Sequence, residues 1–202
     1  MKKIITLVLL FNYCVISSCQ TDDSYASWVE SCIDQAPAIP FTMVSTGEVR
    51  MAREIDYDLL VGAPLPEFQC MNLKGEEVNL SSIKGKMTMI NFWFMRCPPC
   101  LKEFEMFNKL VEKYDDRVDF LSFTFDQSTE VDSLMLIHPF LFDIVPDARD
   151  IIDDDFMCFW SYPFSIVANK ENRIVYILDD FGRSNNNDEK IVTLDSLIQA
   201  NI

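Results

Sequence analysis

Beyond Gly62, the pattern of apolar and polar residues predicts alternating strands and helices. A near-continuous apolar run at residues 88–94 is typical of a strand buried on both faces of a sheet. In residues 98–114, apolar side chains recur every three or four positions and fall on one face of a helix. Shorter strands are predicted at residues 68–73, 77–80, 118–125, 140–144, 164–168 and 173–178, and helices or turns at residues 129–137, 147–156 and 188–201.

This order predicts an α/β domain with a central mixed sheet and helices on both faces, as in the thioredoxin-like fold. A β-hairpin comes first, and a strand and a helix are inserted centrally before a closing β-β-α segment. Residues 62–202 have the length of one domain. Residues 19–61 mix polar, proline and scattered apolar positions without clear periodicity. We therefore expect an N-terminal extension that serves as a tether and docks partly on the domain.

The first residues predict an export signal that does not belong to the folded domain. Two lysines precede an apolar stretch at residues 4–16, which is too short to span a bilayer comfortably. The stretch ends in ISSC at residues 16–19, which resembles the lipobox of bacterial lipoproteins. We expect residues 1–18 to be a lipoprotein signal peptide and Cys19 to carry a lipid. An ordinary secretory signal and an uncleaved anchor are the alternatives.

The chain is strongly acidic, with 17 basic and 32 acidic residues and a formal net charge of −15. Nucleic acids and anionic lipid head groups both require a basic surface, so we expect no binding to either through charge. Membrane attachment would come from the lipid on Cys19. The resemblance of residues 16–23 to the signals of Gram-negative lipoproteins implies a protein of the Gram-negative cell envelope, facing the periplasm or on the outer-membrane surface. Asp22 and Asp23 either resemble an export signal to that surface or begin a solvated linker.

Cys97 and Cys100 are the candidate reactive groups, because they follow the apolar strand and open the predicted helix. The positive end of a helix favours a thiolate on Cys97. Cys100, one turn further on, can attack a mixed disulfide formed on Cys97 and release the partner. A zinc site is the alternative, but a closed site needs about four ligands, and the chain has one histidine, His138, and no second CxxC motif.

Several short motifs occur in an order that resembles one protein family. They are VGAPLPEF at residues 61–68, Gly85-Lys86, Asn91-Phe92-Trp93, CPPC at residues 97–100, Glu103-Phe104 and Tyr162-Pro163-Phe164. Together they resemble the TlpA-like (ResA-like) branch of thioredoxin-fold thiol–disulfide oxidoreductases, in lipoprotein form. The resemblance implies an enzyme that exchanges disulfides with protein substrates, as a reductase, without metal or cofactor other than its redox-active disulfide.

The resemblance also implies partners. An inner-membrane thiol protein would supply electrons, although that donor is out of reach of a protein on the outer surface. The substrate stays open among apocytochrome c, as in cytochrome c maturation, a misoxidised protein and a sulfenylated protein.

The family pattern assigns roles to individual residues of this chain. Cys97 matches the exposed, attacking cysteine and Cys100 the buried, resolving one. Pro163 matches a proline held cis opposite the dithiol, and the backbone of Tyr162 would pair with a substrate strand. Glu103 shares the helix face of Cys100, where a half-buried carboxylate could take the proton of that thiol. The alternative for Glu103 is a surface residue in the first turns of a helix.

Two positions depart from the family pattern. Asn91 occupies the place where many thioredoxins carry a buried aspartate, so acid–base duty would pass to Glu103 or water. Arg96 replaces the usual tryptophan before the first cysteine. Its guanidinium would favour the Cys97 thiolate and contact a partner, or would point to solvent. Trp93 and Pro98 complete the candidate substrate-binding residues, although the favoured position for Trp93 is the core.

Other chemistries are less consistent with the sequence. A peroxiredoxin-like thiol peroxidase needs Thr or Ser three residues before the attacking cysteine, where this chain has Phe94. A copper-handling protein of this fold needs three residues between its two cysteines and a distant histidine, whereas this chain has two intervening residues and His138 as its one histidine. The leftover cysteines Cys32, Cys70 and Cys158 allow one pair and one free thiol, and packing roles are expected.

Overall fold

A computed structural model describes residues 22–42, 49–53, 55–114, 116–157, 162–179 and 187–202. The expected signal peptide at residues 1–18, the expected lipid site Cys19 and the leftover Cys158 lie outside the described residues. In the part of the chain that is described, no helix has the length and apolar character needed to cross a membrane.

The N-terminal extension contains regular elements that the sequence analysis did not predict. Helix α1 (Tyr25–Gln35) begins at Ser24, whose hydroxyl accepts the N–H of Ser27 and caps the helix. Strands β1 (Ala38–Thr42) and β2 (Val49–Arg53) form an antiparallel pair, and a 3₁₀ turn covers Tyr57–Leu60. The buried face of α1 consists of Tyr25, Val29 and Cys32. The extension is therefore packed on the domain through a helix.

A bidentate ion pair fixes the start of this extension. Both carboxylate oxygens of Asp23 accept hydrogen bonds from the guanidinium of Arg173, and the indole N–H of Trp28 donates to Asp23 Oδ1 at 3.0 Å. Arg173 Nη1 also donates to the carbonyl of Gly62 at 2.9 Å. These bonds lower the pKa of Asp23 to about 2, with the Arg173 bond as the main cause. We call this group the Asp23–Arg173 clamp.

The domain is built on a five-stranded mixed sheet, which confirms the predicted fold class. A short antiparallel pair, β3 (Gln69–Met71) and β4 (Glu77–Asn79), comes first. The sheet consists of β5 (Met87–Trp93), β6 (Val118–Thr124), β7 (Asp143–Val145), β8 (Phe164–Ala168) and β9 (Ile174–Asp179). Its order is β7-β6-β5-β8-β9. Strand β6 is parallel to β5, β7 is parallel to β6, and β8 is antiparallel to β5. All of β5 is buried, as its apolar run predicts.

Three helices and one irregular turn complete the domain. Helices α2 (Pro98–Tyr114), α3 (Ser128–Met135) and α4 (Asn187–Asn201) follow the sequence prediction closely. The acidic segment predicted as a helix or turn at residues 147–156 contains a π-helical turn, Ile151–Asp155.

The core divides between the two faces of the sheet, because successive strand side chains point to opposite sides. Ile90 and Phe92 pack with the buried face of α1 on one side. Met89 and Trp93 pack on the other side with α2, α4 and the two active-site cysteines.

Candidate active site

The candidate site lies where β5 ends and α2 begins. Cys97 and Cys100 form a disulfide with their Cα atoms 5.3 Å apart. The Cys97 N–H donates to the carbonyl of Phe94 at 3.1 Å, which closes the turn between strand and helix. The Cys100 N–H points at Cys97 Sγ at 3.3 Å. A backbone donor and the positive end of α2 therefore converge on the sulfur of Cys97, which favours its thiolate once the disulfide is reduced.

Cys97 is less accessible than the sequence analysis expected. In the disulfide state Cys97 is 3% exposed and Cys100 is 1% exposed, so the expectation of an exposed Cys97 is wrong for this state. The cluster that contains Cys97 also contacts the partly buried side chains of Phe94, Met95 and Tyr162.

The peptide bond between Tyr162 and Pro163 is cis, as predicted. Pro163 is buried and immediately precedes β8, whose first residue Phe164 is paired with Phe92 near the end of β5. This pairing brings the cis proline to the end of the sheet that carries the disulfide. The predicted role of the Tyr162 backbone in substrate pairing stays a prediction.

Two aromatic rings contact Tyr162, and a cation lies over one of them. Its ring is 5.3 Å from Phe94 and 6.1 Å from Phe125, in edge-to-face arrangements. The guanidinium of Arg149 lies 3.9 Å from the centre of the Phe125 ring. Because all three aromatic side chains are only partly buried, they provide apolar surface beside the dithiol.

Glu103 is fully buried, more deeply than the half-buried position that the sequence analysis expected. Its side chain is 3% exposed, and Oε1 accepts a hydrogen bond of 2.7 Å from Nζ of Lys190, whose side chain is 5% exposed. The alternative of a surface glutamate is therefore wrong. Lys190 belongs to α4, which packs against α2 through Leu194 and Ile198.

The other predicted site residues divide between core and surface. Trp93 is completely buried, with its ring 5.0 Å from Phe104 and its N–H on the Ser122 hydroxyl at 3.3 Å. The core position favoured for Trp93 is therefore confirmed, and its candidate role in substrate binding is wrong, because no part of its side chain reaches the surface. Arg96 and Pro98 are exposed beside the disulfide, where contact with a partner is sterically open.

Asn91 lies on the same face of β5 as Trp93. It is buried, and its amide donates to the hydroxyl of Ser165 at 2.9 Å. It therefore serves as a neutral cross-strand link.

Sequence reasoning missed two contributors, Lys190 and Asp126. The Asp126 carboxylate accepts the N–H of Met95 and the hydroxyl of Thr124, each at 2.7 Å, and so fixes the loop before Cys97. A signal for Lys190 was present, because Lys190, Leu194 and Ile198 are spaced by four residues and form one buried stripe.

The two leftover thiols in the described part of the chain, those of Cys32 and Cys70, have no features of a reactive site. Cys32 and Cys70 are both free. The pKa of each thiol is raised, mainly by burial. The pKa of Cys70 is raised to about 11. Within the described residues, no group of three or more His, Cys, Asp or Glu side chains is arranged to hold a metal ion.

Comparison with known proteins identifies the family. The model of the AhpC/TSA family matches residues 61–183, well over half of the chain. The chain belongs to the AhpC/TSA family. This match begins where VGAPLPEF begins and includes the disulfide and the cis proline.

Individual relatives agree with the predicted ResA-like resemblance. The thiol-disulfide oxidoreductase ResA of Bacillus thuringiensis (strain Al Hakam) is 37% identical over 57 residues, which cover 28% of this chain and 33% of ResA. The chain thus matches about a third of the length of that relative. The thioredoxin-like protein YneN of Bacillus subtilis (strain 168) is 29% identical over 117 residues, 56% of this chain and 68% of YneN.

A solved structure shows the same fold. The thioredoxin domain of a thiol-disulfide oxidoreductase from Bacteroides vulgatus superimposes with a TM-score of 0.58 at 22% sequence identity. The superposition covers 68% of this chain and 97% of that domain. The thioredoxin-like fold predicted from the order of elements is therefore confirmed.

Proposed function

We propose that the protein is a thiol–disulfide oxidoreductase that reduces disulfides in protein substrates through Cys97 and Cys100. The observation that carries this proposal is the position of the Cys97–Cys100 disulfide, at the start of α2 and beside the cis peptide of Pro163. The relatives named ResA support the same activity.

The exchange proceeds in two displacements. The Cys97 thiolate attacks one sulfur of a substrate disulfide, a mixed disulfide forms, and the other substrate sulfur leaves as a thiolate. Cys100 then loses its proton to Glu103 and attacks Cys97 Sγ. The Cys97–Cys100 bond forms, and the second substrate sulfur leaves and takes up a proton. Two electrons pass from the protein to the substrate, so a dithiol reductant must restore the enzyme.

The exposed residues beside the disulfide would bind the substrate. The backbone of Tyr162 would pair with an extended substrate segment, and Arg96 would attract a carboxylate near the substrate cysteines. Pro98 would contribute apolar contact. We assign no substrate contact to Trp93.

We place this activity in the cell envelope, with the protein anchored through a lipid on Cys19. The basic, apolar and small-residue pattern of residues 1–19 supports this placement. An inner-membrane thiol protein is the proposed electron donor for a protein that faces the periplasm.

Trapping tests the proposal. The reduced protein is mixed with an oxidised peptide that contains one disulfide, and products are separated without reductant. We expect wild type to reduce the peptide, Cys100→Ser to accumulate a mixed disulfide on Cys97, and Cys97→Ser to do neither. Equal trapping by both variants would contradict the ordered mechanism. Rapid turnover of hydrogen peroxide without peptide reduction would instead favour the peroxidase alternative.

A further inference from the structure

Two opposite charges meet inside the apolar interface between α2 and α4. Glu103 and Lys190 are joined by a 2.7 Å hydrogen bond, and both side chains are almost completely removed from solvent. Isolated charges are rarely buried, because the loss of hydration disfavours the ionised form. Each group compensates the burial of the other, so the pair keeps both charges inside the core.

We infer that Lys190 is a positioning residue for the proposed exchange reaction: it keeps Glu103 ionised and directed along the α2 face that carries Cys100. This inference rests on the proposed function. Residues three apart on a helix are neighbours on its surface, so Glu103 lies within one turn of Cys100. Desolvation favours the protonated form of Glu103, and the Lys190 ammonium opposes that effect. A proton acceptor is thereby maintained where Cys100 must lose its proton.

Other ionisable groups lie on the elements that pack around this pair. Lys102 on α2 and Asp188 and Glu189 on α4 are exposed, so water screens their charges. Asp179, at the end of β9, is buried. The central strand β5 contributes Asn91, which does not titrate. Lys190 is the cation that the structure places in hydrogen-bond contact with Glu103.

The role of Lys190 belongs to the second displacement. Cys100 transfers its proton to the Glu103 carboxylate while its sulfur bonds to Cys97 Sγ and the substrate sulfur departs as a thiolate. Glu103 then releases the proton to solvent. Lys190 stays protonated throughout and contributes only its charge and its hydrogen bond. The first displacement, by the Cys97 thiolate, does not use the pair.

Lys190→Met gives this inference a kinetic signature. Without the ammonium, burial shifts the protonation of Glu103 to higher pH, so the second displacement should be at least about 10-fold slower near pH 6. At alkaline pH, where Glu103 is ionised in both proteins, the variant should be at least as fast as wild type, because an unpaired carboxylate is the stronger base. Lys190→Arg should restore the wild-type profile, because it keeps the positive charge.

The chain offers a matched control for loss of helix docking. Lys113 on α2 binds Asp195 on α4 at 2.6 Å, at the opposite end of α2 from the disulfide and at the surface. Lys113→Met therefore breaks another ion pair between the same two helices without changing the dithiol. We expect it to leave both displacements unchanged. If Lys113→Met reproduces the effect of Lys190→Met, helix docking explains the result and the inference is overturned.

Stopped-flow mixing of the reduced full-length protein with an aromatic disulfide resolves the two displacements, since each releases one coloured thiolate. The inference predicts that Lys190→Met shifts the pH dependence of the second-phase rate and leaves the first phase unchanged. Adding Lys190→Met to Glu103→Gln should cause no further shift in the second phase. An unshifted second phase in Lys190→Met, with wild type showing both phases, would overturn the inference alone. Absence of both phases in wild type would overturn the proposed function and this inference with it.

Discussion

Individual residues determine which thiols of this chain react. A helix N-terminus and a backbone donor favour the thiolate of Cys97, whereas burial raises the pKa of Cys32 and Cys70. Nearby Asp143 adds to this effect at Cys70. The structure therefore separates one candidate nucleophile from two packing cysteines that carry the same functional group.

Alkylation of the reduced protein tests this separation. At mildly acidic pH, iodoacetamide should modify Cys97 first, while Cys32 and Cys70 stay largely unmodified because their raised pKa values leave almost no thiolate. Cys100 should be slower, because the helix end and the Cys100 N–H favour a thiolate on Cys97 and not on Cys100. Peptide mapping by mass spectrometry measures the order. Modification of Cys100 before Cys97 would reverse the roles assigned to the two cysteines.

At the scale of elements, the attachment of α1 is the feature most open to a direct test. The Asp23–Arg173 clamp holds the residues just before α1 on the domain. The folded-state pKa of Asp23, about 2, lies below its ordinary value of 3.8. The ionised carboxylate therefore contributes stability above about pH 4, and this contribution is lost as the pH falls towards 2.

Asp23→Asn should lower the midpoint of urea unfolding at pH 7, and its difference from wild type should narrow as the pH falls below 4. Asp22→Asn is the matched control, because among the described residues the Asp22 carboxylate bonds within its own turn, to Ser24, and not to the domain. An Asp23→Asn difference that persists unchanged at the lowest pH would show that the charge of Asp23 is not responsible.

The same scale shows what the sequence could and could not predict. Strong periodicity gave the bounds of α2 at Pro98–Tyr114, because seventeen residues repeat one apolar face. Helix α1 was missed because its three buried side chains stand among the polar and scattered apolar residues of a segment without clear periodicity. The cis bond at Pro163 was predicted from motif resemblance, which local propensity alone would not have supplied.

The buried pair of Glu103 and Lys190 was harder to predict from the sequence than the rest of the site. Glu103 was recognised from its spacing to Cys100, but its depth depends on α4, which lies more than eighty residues away in the sequence. One charged residue on the apolar stripe of each helix, with opposite signs, is the pattern that would have predicted the contact. Trp93 was a candidate for both the core and the site, because a strand-end aromatic residue next to a reactive motif has no sequence feature that distinguishes core from surface.

At the scale of the whole molecule, attachment to a membrane stays a prediction from the first nineteen residues. Cys19→Ala should move the protein from the membrane fraction to the soluble fraction, because a chain with a net charge of −15 has no electrostatic affinity for anionic lipids. Fractionation followed by immunoblotting measures this. Retention of the variant in the membrane fraction would favour an uncleaved anchor.

Surface export is tested separately, by protease treatment of intact cells. Asp22→Asn tests the export signal without disturbing the clamp, whereas Asp23→Asn changes both. Loss of surface digestion in Asp22→Asn would support the signal. Unchanged digestion in both variants would contradict it.

The clamp also limits how far a lipid-anchored enzyme could reach. Asp23 is the fourth residue after Cys19, and four fully extended residues span at most about 14 Å. With a lipid on Cys19, this short tether would keep the domain close to the membrane surface, and the domain could not diffuse through the surrounding compartment. Freely diffusing substrates would have to reach the membrane surface to react. Substrates anchored in the same membrane would encounter the enzyme most readily.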